Sequence, residues 1–198
     1  MSIFKKFFNS STDNSGETPG DDLTNLHAGL TTDELFTLKF RKNGGKFLYC
    51  ENMAEVKTHF EDILEENDWF EQEAMCFEPK LFSLLDENKI PHEKTANPKF
   101  LLASCENLIA EEGSVLLSSN QIKHHKPQEL PANFVIFATT SQLVQTKSDS
   151  LRTIKQRYDK NYPSNIMAFT YFEKSKEEDF LHYGSVAKNL YLLLLEDA

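Results

Sequence analysis

Leu190–Leu195 reads LYLLLL, six apolar residues with no polar alternation. A strand with one face in water alternates apolar and polar side chains. An unbroken apolar run of this length is what a strand covered on both faces looks like. It is far short of the roughly 20 residues a bilayer span needs. Working outward from it, other short β-prone runs are KFLYC at 46–50, Ala74 to Phe77, Lys99 to Ala103, Ser114 to Leu117, NFVIFA at 133–138 and Ile166 to Phe169. Helical patterns lie between most of them, and Ser118 to Pro131 reads as a polar loop. Asn52 is placed to cap a helix carrying Met53, Val56, Phe60, Ile63 and Leu64 on one face, with Glu55 at the third position. Pro79 opens a second helix through Leu81, Leu84 and Leu85. Ser148 or Ser150 caps a third, with Leu151, Ile154 and Tyr158 in register, ended by Pro163. Short buried strands alternating with amphipathic helices predict an α/β fold, three-layer α/β/α with a largely parallel sheet.

The chain has 198 residues, 39% of them apolar and 26% charged, which suits one globular domain over 26–198. Residues 1–25 read differently. MSIFKKFF at 1–8 is a basic amphipathic patch, and Asn9 to Asp22 holds no apolar residue, so it reads as a flexible tether. Two lysines and four apolar residues in Met1 to Phe8 are enough for weak contact with an anionic membrane surface; the alternative is a tail that packs on its own domain or on nothing. Three well-separated cysteines, Cys50, Cys76 and Cys105, form neither a CxxC pair nor a zinc pattern and suit a reducing compartment.

Charge is informative by position. The net charge is −10, and Glu61 to Asn88 alone carries ten acidic residues against Lys80. Phosphate backbones call for clustered lysine and arginine, so nucleic acid is not an expected partner. The acidic block is either a docking face for a basic partner or a solvated helix surface.

Seven glycines form no dinucleotide or P-loop fingerprint, and there is no GxSxG elbow. No cofactor is therefore expected. His124 and His125 point apart in most backbones and have no acidic or thiol partner at ligand spacing, so no metal site is expected either. The one stretch dense in reactive groups is Ala103 to Ser119, ASCENLIAEEGSVLLSS. Its apolar spacing predicts one or two helical turns over 104–110, capped by Ser104 with Glu106 in the first turn. The turn at Glu111, Glu112, Gly113 and Ser114 then leads into a buried strand. Such strand–helix corners are where open α/β sheets bind ligands. Ser104, Glu106, Gly113 and Ser114 are the candidate residues for a small anionic ligand, and Glu111 and Glu112 the candidate catalytic carboxylates. Gly113 is expected to adopt positive φ or to admit a close helix–strand approach. The competing reading is structural: a cap, a turn glycine and a small core thiol.

The same stretch resembles the central motif of the LUD domain family of lactate-utilisation proteins (LutC/YkgG type), in which a strand is followed by Cys-Glu-x-Leu-Ile-Ala, a pair of acidic or small residues, Gly-Ser and an apolar strand. Cys105, Glu106, Leu108, Ile109, Ala110, Gly113 and Ser114 match it; Leu130 and Pro131 before Phe134 to Phe137, and Gln142 to Val144, resemble the steps that follow. From Tyr171 the sequence departs from the family, retaining Gly184, Ser185 and the last strand where a Gly-rich anion loop would stand.

The resemblance implies the fold of ribose-5-phosphate isomerase and the CoA transferases, and a bacterial cytoplasmic protein acting beside iron–sulfur partner proteins in lactate or organic-acid metabolism. With no cluster-binding cysteine spacing of its own, the chain would be an accessory or regulatory component with a small-anion pocket. A second expectation is an enzyme acting on a phosphorylated or CoA-linked small acid through Glu111 or Glu112, by analogy with the nucleophilic glutamate that precedes a glycine in CoA transferases. A third is a membrane-peripheral adaptor working through Met1 to Phe8.

Overall fold

A computed structural model describes residues 29–93, 95–172 and 188–197. The tail at 1–25, with its Met1 to Phe8 patch, and the divergent Gly184 and Ser185 lie outside the described residues.

The strand at Asn189–Leu195 (β9) is the hub. It runs parallel to Lys46–Cys50 (β1) on one side and to Asn133–Thr139 (β6) on the other. β6 in turn pairs with Phe100–Ser104 (β3), and β3 with Ala74–Met75 (β2), all parallel, giving the order β1-β9-β6-β3-β2. Both faces of β9 are buried. Tyr191 and Leu193 face one core, with Phe100, Leu102 and Val135, while Leu190, Leu192 and Leu194 face the other.

The first core is closed by helices Met53–Asn67 (α2) and Phe82–Glu87 (α3). Asn52 caps α2 as expected, its Oδ1 accepting from the Glu55 amide at 3.0 Å. The helix stops at Asp68, whose φ of 56° is left-handed, and Trp69 then stacks on Phe100 with ring centroids 4.9 Å apart. Pro79 opens a short 3-10 turn, Pro79–Leu81, that leads into α3.

The second core lies under helix Thr32–Lys42 (α1) and a small second sheet. That sheet has the order β7-β4-β5-β8 and comprises Asn107–Ile109 (β4), Ser114–Ser118 (β5), Leu143–Val144 (β7) and Ile166–Phe169 (β8). Its outer face holds Ile109 and Leu116 against Ile154 of helix Lys147–Tyr158 (α5). The α/β class with a largely parallel central sheet and helices holds, and the small sheet adds to it.

Three local expectations change. Residues 104–110 are not helical: β3 ends at Ser104, the chain bends at Glu106, and β4 follows, pairing antiparallel with β5 and parallel with β7. Every residue from Leu101 to Ala110 is buried, so this segment has no polar face to turn toward water, and sheet pairing satisfies its backbone instead. Ser104 therefore caps nothing. The loop expected after Ser118 begins with a short helix, Ser119–Ile122 (α4), capped by Ser118 Oγ accepting from the Asn120 amide. The cap of α5 is Thr146, whose Oγ1 accepts from the Asp149 amide at 3.1 Å, because the Ser150 hydroxyl is spent on Asn107 Oδ1 inside the fold.

Candidate functional site

The β4–β5 hairpin carries all the expected site residues on or beside it, yet splits them between its two ends. Ser104 and Glu106 flank Cys105 at the carboxyl end of β3, where the hairpin leaves the central sheet. Glu111 to Ser114 form the tip, about 15 Å further along an extended chain.

At the sheet end, Glu106 is fully buried. Its Oε1 accepts from Ser118 Oγ at 2.6 Å and Gln121 Nε2 at 3.1 Å. Its Oε2 accepts from Arg157 Nη1 at 2.8 Å, and the Tyr158 hydroxyl lies 3.0 Å from both oxygens. Burial and the Glu106 carboxylate together push the Tyr158 phenol up. A carboxylate engaged by these donors and closed to solvent is a structural group, with neither oxygen open to a substrate.

Beside it, Ser104 closes a second network. Its amide and hydroxyl each donate to Glu78 at 2.6 Å, and Lys80 Nζ donates to Ser104 Oγ at 3.1 Å. This pins the turn after β2 to the end of β3. Between the two networks Cys105 is buried, and desolvation pushes its thiol strongly up, so it is not a thiolate nucleophile. Gln142 Nε2 holds the Cys105 carbonyl at 2.5 Å.

At the tip, Gly113 meets both conditions placed on it. Its φ is +63°, and a Cβ there would lie 2.5 Å from the Lys39 carbonyl carbon and the Phe40 nitrogen of α1. The carboxyl end of α1 grips the tip through its carbonyls: Lys39 Nζ donates to Glu111 O at 2.6 Å and Asn43 Nδ2 to Glu112 O at 2.8 Å. The two glutamates are placed differently. Glu111 is exposed and accepts from the Lys147 amide at 3.0 Å, at the start of α5, where a helix favours an anion. Glu112 is partly buried; its Oε1 pairs with Lys147 Nζ at 2.9 Å and its Oε2 accepts from the buried Ser114 hydroxyl at 3.1 Å.

These groups border a cavity of about 530 Å³ lined by Leu38, Lys39, Lys42, Asn43, Glu111, Glu112, Lys147, Thr170 and Tyr171. That volume falls in the range of small-molecule sites. The structure thus brings Glu111, Glu112 and the Gly113 turn together around a cavity and leaves Ser104 and Glu106 outside it. Ser114 stands behind the turn, its hydroxyl used by Glu112.

Lys39, Lys42 and Lys147 on the cavity, and Arg157, Tyr158, Ser118 and Gln121 around Glu106, were not among the expected residues. Ser118 and Gln121 had a legible signal, since Ser-x-x-Gln is a capping box. The lysines had none, being ordinary charges at helix ends. Among the described residues no group of three His, Cys, Asp or Glu is placed to hold a metal ion. No described helix is long and apolar enough to cross a membrane.

No protein-family model matches the chain, and no curated protein matches it. Among solved structures, a DUF162 family protein from Deinococcus radiodurans is similar in fold, with a TM-score of 0.60 over 85% of this chain and 99% of that one, at 11% identity. At that identity the likeness shows the fold alone.

Proposed function

We propose that this chain is a LUD-type protein that holds a small anion in the cavity at the hairpin tip and serves organic-acid metabolism as an accessory or regulatory component. The observation that carries the reading is the cavity itself, with three lysines on its wall beside the Gly113 turn of the matched motif. The fold likeness to a DUF162 family protein supports it, since DUF162 is related to LUD-like domains. So does the engagement of both carboxylates by α5, which fits retention of a ligand better than its turnover. Iron–sulfur proteins remain the proposed partners and the bacterial cytoplasm the proposed setting, both on the resemblance of the motif.

Thermal unfolding with lactate, pyruvate, sugar phosphates and CoA esters tests the reading. A ligand at 100 times its Kd stabilises by about 2.7 kcal/mol. Stabilisation by small acids with no consumption of the acid is the expected result, and no response to any of them would sink it.

One observation favours the enzyme reading: Glu112 is a partly buried carboxylate on the cavity wall. In that case a CoA ester or phosphorylated acid is consumed, and Glu112→Gln abolishes consumption while the fold persists.

A further inference from the structure

We infer that the cavity at the hairpin tip selects an organic acid with two negative charges, recognised by Lys39 and Lys42. This rests on the reading of the cavity as an anion site and adds the ligand's charge and character.

Some charges on the wall already have an opposite charge beside them. Lys147 is neutralised by Glu112 at 2.9 Å. Glu111 is turned onto the Lys147 amide, where the amino end of the twelve-residue α5 matches its charge. Both carboxylates are thus matched by α5 rather than by the facing helix. On α1, Lys39 Nζ is bonded to the Glu111 carbonyl, a neutral acceptor, and has no carboxylate partner. Lys42 has no bonded partner among the described residues. Two ammonium groups without a carboxylate partner, eased only by the carboxyl end of α1, therefore face one cavity. They stand three residues apart in a helix, which puts them on the same side with Cβ atoms about 5–6 Å apart. Both are long and flexible, so two anionic groups on one small molecule can engage them together.

The rest of the wall says the ligand is organic. Leu38 and Tyr171 are among the six large hydrophobic side chains exposed in the described residues, and both line this cavity. An inorganic oxyanion has no apolar surface to set against these side chains and would leave them wet. A short carbon chain between two acidic groups covers it.

Calorimetric titration of the full chain with succinate, lactate and inorganic phosphate, at matched ionic strength, tests the inference. The expected result is that succinate binds at least about tenfold more tightly than either of the others, as one further charged contact provides. Lys42→Gln, at an exposed side chain with no described bond to lose, should weaken succinate about tenfold and lactate less. Equal affinity for succinate and lactate would overturn the two-charge selection while leaving the small-anion reading intact. Phosphate binding as tightly as succinate would overturn the organic character. An unchanged succinate affinity in Lys42→Gln would place the ligand elsewhere, and no binding of any probe would remove both readings.

Discussion

Arg157 and Glu106 meet at the point where the chain leaves the central sheet for the second one, Nη1 to Oε2 2.8 Å, with the carboxylate fully buried and the guanidinium reaching partly into solvent. The pair ties the carboxyl end of α5 to the root of the β4–β5 hairpin. The amino end of α5 is tied to the hairpin tip by Glu111 and Glu112. The helix is therefore fastened at both ends to the element that carries the candidate site.

Glu106→Gln should destabilise the fold by about 2–4 kcal/mol. The amide keeps one acceptor oxygen for donors that now serve two, and it aims its own N–H groups at Ser118, Tyr158 or Arg157. Urea denaturation measures this; a loss below about 0.5 kcal/mol would mean that the network contributes little.

Gly113→Val should cost about 3 kcal/mol or more. A β-branched residue is strained at φ +63°, and its Cβ would overlap the α1 backbone at 2.5 Å, which cannot yield as a flexible side chain does. Gly113→Ala meets the same backbone and should also destabilise. An alanine variant as stable as the parent would show that α1 moves aside freely.

Native Cys50, Cys76 and Cys105 should resist alkylation at pH 8 and all three should react once the chain is unfolded. Burial pushes the Cys76 thiol up to about 11 and Cys50 to about 12, and Cys105 is raised further. Thiolate, not thiol, is the reactive form. Rapid labelling of any one of them in the native protein would contradict the described packing.

Asp197 should make stability pH-dependent at low pH. Its partial desolvation acts to raise the carboxyl, but hydrogen bonds from Ser141, Thr140 and the Ser141 amide outweigh it and hold the group at about 2. A carboxyl depressed in the folded state contributes stability above its unfolded value near 3.9, and that contribution is lost as the pH falls from about 4 through about 2. Because the group is exposed, solvent screening keeps the effect under about 1 kcal/mol. Asp197→Asn should be less stable than the parent at pH 6, and the gap should close near pH 2.

The amino-acid sequence alone determined the elements whose chemistry is local. LYLLLL at Leu190–Leu195 requires cover on both faces, and β9 has it from the two cores, Leu190, Leu192 and Leu194 facing one and Tyr191 and Leu193 the other. Asn52 ahead of an amphipathic run caps α2, and the apolar spacing of that run matches its buried face. The Glu-Glu-Gly-Ser turn needs a residue free to take positive φ, and Gly113 does so.

Tertiary structure decided what depends on pairing and burial. Ser104 to Ala110 is a short, mostly apolar stretch whose spacing suits a helix as well as a strand. Its middle, Asn107–Ile109, became β4 because Leu143–Val144 and Ser114–Ser118 were there to hydrogen-bond it, the former more than thirty residues away. The same choice separated Ser104 and Glu106 from the tip and buried Glu106 against α5. Lys39, Lys42 and Lys147 carry no motif; they share one cavity only because α1 and α5 pack on either side of the hairpin. A cap or a tight turn follows from neighbours in the chain, whereas strand pairing and the matching of charges across a cavity depend on which distant segments the core draws together.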